Sequence, residues 1–157
     1  MAISSASRGT TAAFGRLAGA ERWDGDALPP PCRPRLLATS PYAIVRLAPD
    51  APVPSWAGRG EFSSITRTPD ELSIVCPMEN LPADVSSPHR WICLKLEGPF
   101  PFNLTGVLLS FIEPLSSSGI PIFAISTFDT DYVLVQEEWE EAALDVLQQA
   151  GHELIPG

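Results

Sequence analysis

The residue types that could carry out catalysis are few in this sequence, and they are poorly placed for it. A hydrolytic nucleophile needs an adjacent base, and the chain contains two histidines, His89 and His152. His89 follows Pro88 in a connecting segment, His152 follows a predicted helix, and neither lies near a Gly-x-Ser-x-Gly motif. We therefore expect no catalytic residue and interpret the protein as a non-enzyme.

Cysteine and carboxylate spacing also argues against a metal site. Cys76, His89 and Cys93 offer one close pair, whereas zinc needs three or four ligands at tight spacing. Asp129 and Asp131 could contact magnesium, but no phosphate-binding Gly-x-x-x-x-Gly-Lys loop accompanies them. We expect no metal and no cofactor, and we interpret the cysteines as buried thiols in a reducing compartment.

Asp131 is the strongest candidate for a ligand contact. It directly precedes a predicted strand at Tyr132–Val135, and a carboxylate at a strand end can hold an ammonium group. The glycine and prolines of residues 98–102 precede a predicted helix, whose free N–H groups suit a ligand carboxylate. Two such loops facing each other would bind an α-amino acid at both ends. The alternative is a strand-end aspartate and a helix cap with ordinary folding roles.

The charge distribution argues against nucleic acids and membranes as partners. The chain has 10 basic and 19 acidic residues, a net charge of −9, and nearly all of the acids follow residue 36. Such an acidic body repels phosphate backbones, and no basic stripe offsets this. No apolar run approaches the ~18 residues that cross a bilayer. We expect a soluble protein without a nucleic-acid or membrane partner.

Residues 1–41 differ in composition from the rest of the chain. They are rich in Ala, Ser, Gly and Arg, and they end in a proline-rich stretch. Because no apolar period is sustained there, we predict a disordered extension and a linker. The first 20 residues contain arginines and no acids, which is also typical of organelle transit peptides. A cytoplasmic location is expected, with organelle import as the alternative.

Two modules are predicted after this extension. Residues 42–81 contain a strand at 42–48, a proline-interrupted loop, and a hairpin whose strands flank the turn Thr68–Glu71. Residues 82–90 form a linker. Residues 91–157 contain strands at 91–97, 120–127, 132–135 and 152–155, with one helix before Gly119 and another between Glu138 and Gly151. The β-α-β-β-α-β order predicts an α+β, ferredoxin-like antiparallel sheet with helices on one face.

Two finer predictions concern single elements of the second module. Ile92, Leu94 and Leu96 alternate with their neighbours, which predicts a strand with one buried face. Pro114 lies inside the first predicted helix and should kink or loosen its last turn.

Several short motifs of the second module resemble those of a known family. They are Pro101-Phe102-Asn103-Leu104-Thr105-Gly106-Val107-Leu108, Glu113-Pro114-Leu115, Gly119-Ile120 and Ile125-Ser126-Thr127-Phe128-Asp129-Thr130-Asp131-Tyr132-Val133-Leu134-Val135. This set resembles the ACT-domain family, which includes bacterial tandem-ACT proteins of unassigned role and the animal cytosolic arginine sensors called CASTOR. The resemblance covers residues 42–155. It implies tandem βαββαβ units, a degenerate N-terminal ACT-like unit at 42–81 and a C-terminal ACT domain at 91–157.

The same resemblance implies a function and a site. It implies a non-catalytic regulatory protein, a sensor that holds a small molecule, most simply an amino acid. The ligand would lie at an interface between units, within the chain or across a homodimer. A homodimer and a regulated protein partner are both left open, but no surface for a signalling partner carries over from the family, because nothing in this sequence identifies one. The ligand-binding residues that it implies are Pro101, Asn103, Leu104, Thr105, Thr127, Phe128 and Asp131. Arginine specificity does not carry over, because Leu104 stands where an acid would help to hold a guanidinium group. The alternative is a structural or protein-interaction module with the ACT fold and no working pocket.

Overall fold

The structure is a computed structural model that describes residues 34–100 and 106–155, without the side chains of residues 35–40. Predictions made for residues 1–33 and 101–105 therefore lie outside the described residues. The strands are β1 (Pro34–Leu47), β2 (Ser64–Arg67), β3 (Leu72–Pro77), β4 (Trp91–Leu96), β5 (Ile122–Ser126) and β6 (Asp131–Gln136). The helices are α1 (Val107–Ser117) and α2 (Glu140–Gln149), with short 3-10 turns at Met78–Asn80 and Glu137–Trp139. No helix in this part of the chain is long and apolar enough to cross a membrane.

All six strands join one antiparallel sheet in the order β2-β3-β1-β4-β6-β5. The chain order β4-α1-β5-β6-α2 confirms the mixed α+β class and the predicted order of the second module. The predicted hairpin is also confirmed, because the Thr68 N–H donates to the Glu71 carbonyl at 2.9 Å between β2 and β3. Tight hydrogen-bonded turns of this kind are what the Thr-Pro-Asp-Glu sequence favours.

Strand β1 departs from the prediction, because it begins at Pro34 rather than at Tyr42. The prolines favoured a stiff linker, yet proline is tolerated at a strand start and at a bulge. Pro34 occupies the start, and Pro41 lies where the pairing with β4 shifts register between Leu37 and Tyr42. Since β1 also pairs with β3, residues 34–81 extend the sheet of the second half. Their described part contains three strands and no α-helix.

Both helices pack on one face of the sheet. Ile92, Leu94 and Leu96 meet α1 through Phe111 and Leu115, and the cluster continues to α2. The predicted closing strand at 152–155 is reduced to one bridge, in which the Ile155 N–H donates to the Pro34 carbonyl at 2.9 Å.

The opposite surface of the sheet, the helix-free face, is also buried in part. Five of its side chains are buried and five more pack against them. They are Tyr42, Phe62, Val75, Cys93 and Leu134, with Ile44, Trp91, Phe123, Ile125 and Tyr132 around them. The expectation of one buried face is therefore wrong for β4, since Cys93 is 0% exposed. The physical reason is Phe62, which reaches this face from the loop before β2.

Pro114 lies inside α1 and has a consequence for His152. Proline has no N–H, so it cannot donate to the carbonyl of Ser110. The Nε2 atom of His152 lies 3.0 Å from that oxygen, and because a carbonyl only accepts, Nε2 carries the proton. His152 is buried and its ring packs edge-on against Phe111. The side chain thus joins the end of α2 to the middle of α1 in a structural role.

Candidate functional site

The turn between β5 and β6 is held by a local hydrogen-bond network. The N–H of Thr127 donates to the Thr130 carbonyl at 2.9 Å, and the Thr127 hydroxyl donates to the same oxygen at 2.7 Å. The Thr130 hydroxyl is buried and donates to the carbonyl of Leu96 at the end of β4. The turn is therefore fixed both internally and to its neighbouring strand.

The chain that leads from β4 towards α1 lies directly against this turn. The N–H of Phe100 donates to the Asp129 carbonyl at 3.0 Å. Gly98 lies so close that a Cβ atom added there would be 2.6 Å from the same oxygen. Such a distance forces the backbone to move, so the approach of the two segments requires glycine at position 98.

Asp131 lies at the start of β6, opposite Ser126 of β5. The Ser126 hydroxyl donates to Asp131 Oδ1 at 2.5 Å. Within residues 34–100 and 106–155, Asp131 forms no ion pair with a lysine, arginine or histidine. Its partly buried carboxylate is thus oriented by a hydroxyl, and its charge is not neutralised by a described side chain.

Three of the sequence-predicted site residues come together here, and four cannot be placed. Thr127, Phe128 and Asp131 share the turn with the segment 98–100, and the Phe128 side chain is 77% exposed. Pro101, Asn103, Leu104 and Thr105 lie outside the described residues. The described residues continue from Gly106, which directly precedes α1 and has a φ of 83°.

Two further buried polar atoms were not predicted from the sequence. The Tyr42 hydroxyl and Glu97 Oε1 are buried and have no hydrogen-bond partner in the described structure. Burial raises the pKa of Tyr42 and Cys93 well above their usual values, and the charge of Glu61 adds to both effects. The only sequence signal was the strand alternation at Cys93, because an isolated Phe62 in a polar loop has no periodicity.

One open surface depression lies at the other end of β6, far along the strand from Asp131. It measures about 220 Å³ and is lined by Pro88, His89, Arg90, Gln136, Glu137 and Glu138. Arg90 Nε pairs with Glu137 Oε2 at 2.6 Å, and both side chains are exposed. A solvated ion pair of this kind is an ordinary surface feature. No group of three His, Cys, Asp or Glu side chains within the described ranges is arranged to hold a metal ion.

Comparison with known proteins gives a consistent family assignment. The sequence model of the ACT domain matches residues 86–149, and a second model, which describes an N-terminal domain, matches residues 40–84. The crystal structure of Atu0741 from Agobacterium tumefaciens has a TM-score of 0.75 and 46% identity, covering 82% of this chain and 95% of that one.

Two human proteins are also similar in sequence. CASTOR3P is 30% identical over 138 residues, which cover 77% of this chain and 82% of that protein. Subunit 1 of the cytosolic arginine sensor for mTORC1 is 31% identical over 86 residues, or 50% of this chain. The matched part is 26% of the sensor, so this chain corresponds to about a quarter of its length.

Proposed function

This chain belongs to the ACT-domain family, and from that premise we propose that it is a non-catalytic regulatory protein that binds an amino acid beside the β5–β6 turn. One observation carries the proposal. The Asp131 carboxylate is oriented by Ser126 at a fixed turn and forms no ion pair within the described residues. A carboxylate held in this way binds an ammonium group with little loss of side-chain entropy.

The second half of the ligand would be held by the segment that leads into α1. Backbone N–H groups at a helix start favour a carboxylate through their partial positive charge. Residues 98–100 lie against the turn through the bond from Phe100 to Asp129, so the segment begins next to the proposed site. Thr127 would offer backbone groups, and Phe128 would cover the ligand side chain. The rest of the proposed ligand pocket would be formed by four residues of the same segment, Pro101, Asn103, Leu104 and Thr105.

We further propose that two ACT-like units share the site. The first is the degenerate unit at 42–81, the second is the ACT domain at 91–157, and residues 82–90 link them. Strand β1 supports this arrangement, because it pairs with β3 of the first half and β4 of the second. A ligand at a junction of units, in one chain or across a homodimer, shifts a conformational equilibrium only through different affinities for the two states.

The ligand panel should include arginine because one relative is named an arginine sensor. The proposal does not commit to arginine, since a guanidinium buried in the site needs acceptors beyond Asp131. An apolar or small polar amino acid presents the same ammonium and carboxylate groups to Asp131 and to the backbone N–H groups before α1. We also propose a cytoplasmic location, which the name of the same relative supports. Fluorescent fusions with and without residues 1–41 would test it, and organelle import of the longer fusion would contradict it.

The experiment is a thermal-shift panel of the common amino acids on the full chain. A ligand at ~100 times its dissociation constant adds ~2.7 kcal/mol, which is several degrees of melting temperature. Asp131→Asn should abolish the shift without unfolding the protein. Asp129→Asn is the matched control, because it neutralises an aspartate in the same turn. A shift that survives Asp131→Asn would contradict this site.

The second candidate function is a protein-interaction module that retains the fold without a ligand. It is favoured by Phe128, whose side chain is 77% exposed at the tip of the turn. Exposed aromatic side chains are enriched at protein contacts. A panel with no response, together with a partner whose binding is lost in Phe128→Ser, would favour this function over amino-acid sensing.

A further inference from the structure

We draw no further inference here: the strongest candidate, the apolar side-chain cluster on the helix-free face of the sheet, where Trp91, Phe123 and Ile125 are half-buried, carries nothing because nothing in the described structure shows what covers it.

Discussion

Replacing Tyr42 by Phe should stabilise the ligand-free protein, although it removes a polar group from a native core. The hydroxyl is buried and unpartnered, so folding strips it of water without compensation. The corresponding penalty is about 1–3 kcal/mol. The ring itself stays, and with it the packing against Phe62. We therefore expect a gain of about 1–2 kcal/mol in unfolding free energy, after a small loss of contacts around the missing oxygen.

Urea denaturation at neutral pH measures this change directly through the transition midpoint. Tyr132→Phe is the matched control, because Tyr132 stacks on the same Phe62 ring but remains partly exposed. Removing the Tyr132 hydroxyl should change the free energy of unfolding by less than about 0.5 kcal/mol. A Tyr42→Phe variant that is less stable than the parent by about 1 kcal/mol would refute the reasoning, because it would show that the hydroxyl makes a hydrogen bond in solution.

The remaining predictions concern other parts of the fold. His152→Phe should lower the free energy of unfolding by about 1–2 kcal/mol, because the Ser110 carbonyl loses the imidazole donor. In a Pro114→Ala background this loss should be smaller, since the introduced alanine supplies an N–H to the same carbonyl. An equal loss in both backgrounds of a double-mutant cycle would contradict this. Burial raises the pKa of the Cys76 thiol from its usual 9.0 to about 11. The unfolded chain therefore ionises first as pH rises, and stability present below pH 9 should fall by up to about 3 kcal/mol towards pH 11. Denaturation at pH 8 and 10.5 checks this. Cys76→Ala should remove only the Cys76 part of the decline, because burial also raises the pKa of the Cys93 thiol, which keeps its own contribution. Gly98→Ala should destabilise by about 1–3 kcal/mol through the forced shift against Asp129, and calorimetry that shows no change would contradict the close approach.

The parts of the fold that depend on local chemistry could be predicted from the sequence. The turn before Asp131 and the hairpin around Thr68 follow from residues that are neighbours in the chain. Strand β1 could not be delimited in the same way. From the local sequence, Pro34 and Pro41 each predict the end of a strand. The sheet can contain them because Pro34 starts the strand and Pro41 lies where the pairing with β4 shifts register.

The apolar cluster on the helix-free face was not predicted, for a different physical reason. It depends on the meeting of Phe62 with Tyr132, which belong to different halves of the chain. A lone aromatic residue in a polar loop gives no periodic signal, so the position of Phe62 could not be predicted. The strands that flank β4 are also decided by tertiary pairing, which the local sequence does not determine. Sequence reasoning therefore reached the candidate site at Asp131, whose neighbours lie nearby along the chain, and missed Tyr42 and Glu97.

Leu96 connects the proposed amino-acid site to the junction between the two halves. Its carbonyl accepts the Thr130 hydroxyl from the site turn, and its backbone faces Pro34 at the start of β1. The Pro34 carbonyl in turn accepts the N–H of Ile155, near the end of the described chain. An amino acid bound at the turn would thus contact a segment that is bonded to the strand through which the first half joins the second. These two hydrogen bonds and the pairing of Leu96 with Pro34 connect the proposed site to β1, and measured coupling between substitutions at Thr130 and Ile155 would show whether ligand binding uses this connection.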